Sequence, residues 1–315
     1  MSTHSSQQPT VGVLAMAYGT PASLEDVEAY YTHVRHGHRP SPELLAELQG
    51  RYRAIGGTSP LLEHTRTQIA GIQAALDRLA SGRFIVEMGM KHASPFIEDG
   101  VRELLKRNVQ QIVGLVLAPH YSIMSVGEYT QRARAACPPE VALTVIKQWY
   151  LAPGYLNFLT ETVNKTLSDL LASNNLSPEE VVVLFTAHSL PTRILEMGDT
   201  YPEQLRETAE VVAARANLNL KHQCWLIAWQ SAGRTKDPWI GPDLLTVIAD
   251  LIKQGVKGVV VCPAGFVSEH LEILYDLDIE TRQFAERSGI AFARTALPHN
   301  DPGVFASLAE LIVSG

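Results

Sequence analysis

The chain has 315 residues, of which 46% are hydrophobic, and a formal net charge of −7. Its length exceeds the usual size of a single hydrophobic core, so two domains or one large α/β unit are expected. The acidic balance, with a pI near 5.9, gives no electrostatic case for nucleic acid or an anionic membrane, and no apolar run approaches the roughly 20 residues of a membrane span.

The N-terminus and the cysteines carry no sign of export or of a bound cluster. Residues 1–9 are polar and lack the apolar core of a signal peptide. Cys137, Cys224 and Cys262 are scattered, and none belongs to a C-x-x-C pair. We therefore expect a cytoplasmic protein with no disulfide framework, structural zinc site or iron–sulfur cluster.

In chain order, apolar runs of strand length alternate with segments of helical periodicity. The first half predicts strands at 11–17, 84–90, 111–118 and 141–146. A capping-box pattern at Ser23–Asp26 predicts the start of its first helix, and Ser41-Pro42 predicts the start of the second. Three further helices are predicted at 60–80, 95–107 and 125–136. The second half predicts strands at 181–187, 223–229, 257–262 and 290–296, and helices at 155–172, 202–216, 241–254, 268–287 and 302–313.

Alternation of this kind predicts parallel sheets with right-handed crossovers. The expected fold class is α/β, with two similar Rossmann-like domains, each a mainly parallel four-stranded sheet flanked by helices. We place the domains at 1–150 and 151–315, with the active cleft between them and the last helix packing back on the first domain.

An acidic stripe follows the predicted strand that ends at Cys262. Ser268 occupies the expected N-cap of the next helix, and Glu272, Asp276 and Glu280 recur every four residues, so they share one helix face. Most such stripes are solvated faces. This one lies at the carboxyl end of a buried strand, where open α/β sheets bind their ligands.

Titratable or aromatic residues also follow most of the other predicted strands. They are Tyr18, Lys91-His92, His120, His188 and Trp229-Gln230. His92 and His120 are interpreted as hydrogen-bonded structural groups. The convergence of such residues from both halves is the default prediction of an active site.

The motifs exclude several kinds of chemistry. No G-x-G-x-x-G loop is present, which disfavours a dinucleotide, and no G-x-S-x-G elbow is present, which disfavours serine hydrolysis. His188 and Glu272 remain, and neutral imidazole with carboxylate suits a divalent metal such as Fe²⁺, Co²⁺ or Zn²⁺. The residues alone therefore predict a bilobal α/β protein that handles a metal.

Nine motifs spread over nearly the whole chain resemble the ferrochelatase family, and most of all the soluble coproporphyrin III type of Gram-positive bacteria. They are A-Y-G-T-P at 17–21, Y-Y-T-H-V-R at 30–35, R-Y-R-A-I-G-G-T-S-P at 51–60, K-H-A-S-P-F-I-E-D at 91–99, L-A-P-H-Y-S at 117–122, A-H-S-L-P at 187–191, W-Q-S-A-G at 229–233, D-P-W-I-G-P at 237–242 and H-L-E-I-L-Y-D at 270–276.

The resemblance implies a class II chelatase-like fold and insertion of Fe²⁺ into a porphyrin held in the cleft. It makes His188 and Glu272 the catalytic and metal-site pair, and Tyr18 the residue on the opposite face of the ring, axial to the product iron. It assigns porphyrin and propionate binding to Tyr18, Arg35, Arg51, Tyr52, Ser59 and Tyr129. Glu280 matches an outer site for a hydrated cation, with Asp276 on the same route.

Physical chemistry fits these implied roles. His188 is suited to accept the two pyrrole protons, and Glu272 to position the ion or relay protons. A guanidinium, as in Arg35 and Arg51, can bind both oxygens of a propionate. Fe²⁺ is expected as a substrate, with no permanently bound cofactor.

The A-Y-G-T-P motif favours coproporphyrin III as substrate and coproheme as product. The alternatives are a protoporphyrin IX ferrochelatase, a cobalt or nickel chelatase for another tetrapyrrole, and a non-enzymatic bilobal protein that binds haem or a metal. We expect a monomer in transient contact with other enzymes of haem biosynthesis, without nucleic acid or membrane insertion.

Overall fold

The computed structural model describes residues 10–218, 224–233 and 237–315. Within these ranges the chain forms eight strands, which we number in chain order. They are β1 (Val11–Ala17), β2 (Phe84–Met90), β3 (Gln111–Val116), β4 (Ala142–Ile146), β5 (Val181–His188), β6 (Cys224–Gln230), β7 (Gly258–Cys262) and β8 (Ala291–Arg294).

The helices lie between these strands and on both faces of the sheets. The α-helices are α1 (Val27–Val34), α2 (Pro42–Ala54), α3 (Leu61–Leu79), α4 (Ile97–Lys106), α5 (Glu128–Ala136), α6 (Pro153–Asn174), α7 (Arg193–Glu196), α8 (Tyr201–Arg215), α9 (Leu244–Lys253), α10 (Arg282–Arg287) and α11 (Pro302–Ser314). Two π-helical segments, Ile123–Gly127 and Ile273–Thr281, precede α5 and α10 directly, and a short 3₁₀ turn covers Pro178–Glu180.

The strands form two four-stranded parallel sheets, which confirms the predicted fold class. The first sheet has the order β2-β1-β3-β4 and the second the order β6-β5-β7-β8, so both halves use the same topology. The central strands were readable from the sequence because they are buried on both faces. All of β1 is buried, as is β5 up to Ala187, and such strands appear as continuous apolar runs.

One hydrophobic cluster joins the two sheets. It includes Val13 and Leu115 of the first sheet, and Val183 and Phe185 of the second. The helices α3, α6 and α11 contribute to the same cluster, and α11 packs on both α3 and α6. Because the core is shared, a domain boundary near residue 150 stays a prediction.

Three local predictions differ from the structure. Ser23 does not cap a helix, because α1 begins only at Val27 and the Ser23 hydroxyl instead donates to Asp26. Ser268 is not an N-cap either, since the chain becomes helical at residue 271. The predicted continuous α-helix over 268–287 is largely π-helical. By contrast, the predicted start of a helix at Ser41-Pro42 is confirmed, and the Ser41 hydroxyl accepts from the Leu44 amide at 3.4 Å.

Candidate active site

His188 and Glu272 meet at the carboxyl edge of the second sheet. His188 is the last residue of β5, and Glu272 lies at the start of the helical segment that follows β7. The His188 Nε2 atom is 3.5 Å from Glu272 Oε1, and each side chain is about one-third exposed (35% and 32%). The Ser189 carbonyl contacts the other ring nitrogen of His188. The pair is therefore oriented by its surroundings and remains partly exposed.

The two groups set each other's charge. Burial alone would lower the pKa of His188, but the Glu272 carboxylate and the Ser189 carbonyl outweigh it and raise this pKa above its usual value. Burial alone would raise the pKa of Glu272, but His188 and His270 hold it below its usual range. At neutral pH the pair is therefore imidazolium and carboxylate.

His270 is a third member of this group, and the sequence alone assigns it no role. Its Nδ1 atom lies 3.1 Å from the Ser268 carbonyl, and its Nε2 atom lies 3.4 Å from Glu272 Oε2. The carboxylate of Glu272 thus has one imidazole at each oxygen. The H-x-E spacing in the sequence was the available signal for this contact.

A nine-residue π-helix, Ile273–Thr281, carries the acidic stripe away from this pair. Hydrogen bonds in a π-helix join residues five apart, and such segments are frequent at functional sites. Residues four apart fall slightly short of one full turn, so Glu272, Asp276 and Glu280 stay on one side. Their environment changes along the stripe, because Asp276 is buried and Glu280 is exposed.

Asp276 is held by both halves of the molecule. Arg51 of α2 donates to Asp276 Oδ1 at 3.2 Å, and Ser231 donates to Oδ2 at 2.5 Å. Ser231 adopts a left-handed backbone conformation (φ 59°), which is strained for a residue other than glycine and common at functional sites. Burial and the nearby charge of Glu272 raise the pKa of Asp276 to about 6, despite the opposing effects of Ser231 and Arg51.

The first half contributes the residues around Tyr18, which we call the first-half wall: Tyr18, Tyr52, Ser59 and Tyr129. Tyr18 directly follows β1 and is 42% exposed, and its ring lies 4.6 Å from that of His92. Partial burial and then the Glu272 charge raise the pKa of the Tyr18 phenol, so Glu272 lies within electrostatic range of this wall. Tyr52 of α2 is buried, with its hydroxyl 3.4 Å from Thr20.

The cationic residues predicted for the propionates already have protein partners. Besides Asp276, Arg51 contacts Glu47 at 3.4 Å and lies 4.8 Å from the ring centre of Tyr275. Arg35 makes local contacts, with its guanidinium 5.5 Å from the Tyr31 ring and its Nε donating to the His38 carbonyl.

Ser59 and Tyr129 are both buried. The Ser59 hydroxyl accepts from the Leu61 amide at the start of α3, which is a structural contact. Tyr129 lies beneath Lys91, whose Nζ atom is 5.3 Å from the Tyr129 ring centre and 5.9 Å from that of Tyr18. Lys91 also pairs with Glu128.

A cavity of about 930 Å³ adjoins Lys91 and is lined by charged and imidazole side chains, among them His33, Lys91, His92, Glu128 and Arg132. Within it, the Nδ1 atoms of His33 and His92 are 2.9 Å apart. Burial lowers the pKa of His92 to about 3, so this ring is neutral. Sequence reasoning did not assign Arg132, whose partners are distant in the chain.

His120 of the first half contacts the second half and is not among the described side chains that contact His188 or Glu272. Its Nε2 atom is 2.9 Å from the Thr208 hydroxyl, and burial lowers its pKa to about 3. A buried neutral imidazole with a hydroxyl partner fits the structural interpretation of this residue.

Comparison with known sequences decides the family. The sequence profile of the ferrochelatase family matches residues 10–315. The chain belongs to the ferrochelatase family. Among its relatives, the protein named coproporphyrin III ferrochelatase 2 of Bacillus cereus is 41% identical over 307 residues, which cover 96% of this chain and 93% of that protein. A coproporphyrin III ferrochelatase of Anoxybacillus flavithermus is 40% identical over 308 residues, 96% of each chain.

Solved structures share the fold of this ferrochelatase-family chain. SirB from Bacillus subtilis with Fe³⁺ superposes with a TM-score of 0.53 at 11% identity, covering 97% of this chain and 95% of that one. CbiX, described as the terminal enzyme of sirohaem biosynthesis in denitrifying bacteria, gives a TM-score of 0.51 at 13% identity, covering 97% and 99%. At such identities the likeness shows the fold alone.

Among the described residues, no helix is both long enough and apolar enough to cross a bilayer.

Proposed function

We propose that this protein inserts Fe²⁺ into coproporphyrin III and so forms coproheme in haem biosynthesis. The observation that carries the proposal is the His188–Glu272 pair, 3.5 Å apart at a sheet edge, with the Tyr18 phenol within electrostatic range of Glu272. Similarity over 96% of the chain to a protein named coproporphyrin III ferrochelatase 2 supports the choice of porphyrin.

Proton balance gives the pair its chemical role. A free-base porphyrin loses two N–H protons when Fe²⁺ takes its four nitrogens, and these protons need bases within the cleft. His188 carries a proton in the resting pair, so it becomes a base once that proton has left through Glu272. Asp276, with a pKa of about 6, can exchange a proton near neutral pH and pass it outward.

The acidic stripe also supports a route for the metal. Glu272 is the inner ligand beside His188, buried Asp276 is the intermediate station, and exposed Glu280 is the outer site for a hydrated cation. Carboxylate oxygens bind hydrated divalent ions well, whereas an imidazole next to a carboxylate favours borderline ions such as Fe²⁺. Along the stripe, the proposed binding of the ion therefore changes from a hydrated ion at Glu280 to direct ligation at Glu272.

We assign porphyrin binding to the first-half wall. Tyr18 reaches the ring from the side opposite to His188 and is the axial ligand of the product iron. Tyr52, Ser59 and Tyr129 shape the wall, and Arg35 and Arg51 bind propionates. Arg51 must then share its guanidinium between a propionate and Asp276, which is 3.2 Å away, so substrate binding loosens one contact of the acidic stripe.

A product assay under anaerobic conditions tests the function. Fe²⁺ supplied with coproporphyrin III and protoporphyrin IX side by side should give coproheme in excess. Preferred turnover of protoporphyrin IX would overturn the substrate, and insertion of Co²⁺ or Ni²⁺ with negligible Fe²⁺ insertion would overturn the metal. Absence of any turnover in the parent protein would favour a binding protein.

His188→Ala separates catalysis from binding. Turnover should fall by at least about 100-fold, since a positioned general base contributes about 10²–10⁴-fold. Porphyrin affinity, measured by fluorescence quenching, should stay within a few-fold of the parent. His38→Gln, on the exposed segment after α1, is the matched control and should keep both properties. Equal turnover in the parent and in His188→Ala would remove His188 from the mechanism.

The remaining expectations belong to the same proposal. The protein works in the cytoplasm as a monomer, holds no iron–sulfur cluster, and meets its neighbouring haem-pathway enzymes only transiently. Metal analysis and sedimentation of the purified protein measure the cluster and the oligomeric state.

A further inference from the structure

A second cluster of metal-ligand side chains lies where the two halves of the molecule meet. His64 lies on α3 of the first half, Glu269 lies in the loop after β7, and His299 lies just before α11. The two imidazole rings stack nearly parallel, with centroids 3.9 Å apart and an interplanar angle of 6°. Two stacked imidazoliums would repel each other, so this arrangement favours neutral rings, the form that binds metals.

The three side chains bring one potential ligand atom each to within 4.8 Å of the others. Glu269 Oε2 is 3.5 Å from His64 Nδ1 and 2.9 Å from His299 Nδ1, and the side chains are only 18–23% exposed. All three atoms are buried, and none makes a well-aligned hydrogen bond within the described residues. Buried polar atoms are nearly always satisfied, so three orphans that face one another call for an explanation.

We propose that His64, Glu269 and His299 form a binding site for a divalent transition metal of the Zn²⁺ class. Two ligand atoms on a tetrahedral Zn²⁺ at about 2.0–2.1 Å lie roughly 3.3 Å apart, which matches the observed separations. Two nitrogens and one carboxylate suit Zn²⁺ or Co²⁺ and disfavour Mg²⁺ and Ca²⁺, which prefer oxygen ligands. A water completes the fourth position.

Glu269 also has a charged partner behind it, as the carboxylate ligands of metal centres commonly do. Arg294 lies 3.7 Å from Glu269 Oε1 and binds both oxygens of Asp278 at 2.9 Å. An Arg held in this way fixes the orientation of the Glu269 carboxylate, as outer-shell partners do for metal ligands. Since Asp278 belongs to the π-helix, the proposed metal is linked to that helix through Arg294.

This site is distinct from the His188–Glu272 pair and does not depend on the proposed function. Glu269 precedes Glu272 by three residues, but it contacts His64, His299 and Arg294, whereas Glu272 contacts His188 and His270. A metal held by α3 and by two segments of the second half would fasten the halves together.

Metal titration of the chelator-stripped full chain tests the site. His188→Ala is used as the background so that the catalytic pair contributes less to binding. In competition with a chromophoric chelator, this variant should still bind one Zn²⁺ tightly. Adding His64→Gln and His299→Gln should weaken that binding by at least about 100-fold, as loss of ligands exceeds the 10–100-fold cost of losing outer-shell partners. Adding His38→Gln instead should leave it unchanged.

Two further readouts separate ligation from a packing defect. Co²⁺ should give visible d–d bands of a tetrahedral site in the His188→Ala background, and Glu269→Gln, which keeps the shape of the side chain, should abolish them. Zn²⁺ should raise the unfolding temperature of the background protein only while the three ligands are present. Equal Zn²⁺ affinity with and without His64 and His299, or no tight Zn²⁺ binding in the background protein, would overturn the proposal.

Discussion

At the scale of residues, the contact with Glu272 favours the protonated form of the His188 imidazole, the proposed catalytic base. The carboxylate outweighs burial and raises the pKa of His188 above its usual value. Two protons must leave each porphyrin, and an imidazolium must lose its own proton before it can accept one of them. In the proposed mechanism, the pair therefore couples proton exit to the arrival of the metal at Glu272.

Glu272→Gln should shift the pH profile in a defined direction. Loss of the negative charge leaves burial as the larger influence, so the pKa of His188 falls. The acid limb of kcat/KM, on which activity rises as His188 loses its proton, should move to lower pH, while the maximal rate falls because an ion ligand is lost. Steady-state rates across the pH range measure the shift, and an NMR titration of His188 checks the assignment.

The exposed Glu286 on α10 provides the control for that experiment. Glu286→Gln removes the same charge at a distance and should leave the acid limb where it is. An acid limb that stays fixed in Glu272→Gln as well would show that another group controls the profile.

Asp276 should make stability depend on pH. Its pKa is raised from 3.8 to about 6 in the folded protein, so the stabilising effect of its protonated form is complete below about pH 4 and is lost as pH rises through 6. Asp276→Asn should therefore stabilise the metal-free protein at about pH 7.5 by up to about 3 kcal/mol, with little effect at about pH 4, because the raised pKa already includes the pairing with Arg51. Denaturant unfolding at both pH values measures this difference; stabilisation of the same size at both would contradict it.

Residues of the site were partly predictable. His188 and Glu272 stood out because each follows a buried strand. The contact between Arg51 and Asp276 did not, since 225 positions separate the two residues and no local pattern encodes such a pair. The same holds for His64 and His299, each of which looks ordinary in its own segment.

At the scale of elements, the acidic helix shows where periodicity reaches its limit. Glu272, Asp276 and Glu280 share a side in an α-helix and also in a π-helix, so their spacing predicted the shared face but not the kind of helix. Ile123–Gly127 is the second π-helical segment that α-helical periodicity concealed. The strands were predicted more accurately than the type of helix, because the buried runs of β1 and β5 are bounded by turn residues.

The contact between α3 and α11 depends on one glycine. A Cβ atom at Gly71 would lie 2.1 Å from the Phe305 ring, which is buried in the shared core. Gly71→Ala should therefore destabilise the protein by about 1–3 kcal/mol through overpacking. Urea unfolding measures the change.

Gly50 offers the matched control, since it also lies within a helix but a Cβ there would meet no atom within 4 Å. Gly50→Ala should be neutral or stabilising by about 0.5–1 kcal/mol, because alanine favours the helix. Equal effects of the two substitutions would show that Phe305 can move aside at little cost.

At the scale of the whole molecule, hydrogen bonds as well as the core connect the halves. Asp199 of the second half accepts from the Ser122 hydroxyl at 2.8 Å and from the Ile123 amide at 2.7 Å. It is buried, and it also accepts from the Tyr201 amide. Three donors in the two halves therefore depend on one carboxylate.

Asp199→Ala should weaken both halves together. Leaving buried donors unsatisfied costs about 1–3 kcal/mol each, so we expect a loss of several kcal/mol at most. Native-state hydrogen exchange should show reduced protection in β1 and in β5 alike. Loss confined to α8 and the second sheet would indicate that the halves unfold independently.

The repeated strand order has a consequence for how a flat substrate meets the protein. β1 and β5 occupy the same place in their sheets, and Tyr18 follows the one while His188 ends the other. In the proposed arrangement, the two faces of the macrocycle meet equivalent points of one architectural unit used twice. The same strand position would then serve both faces of the ring, and the chemical difference between the faces would come from single side chains: a phenol on one, an imidazole on the other.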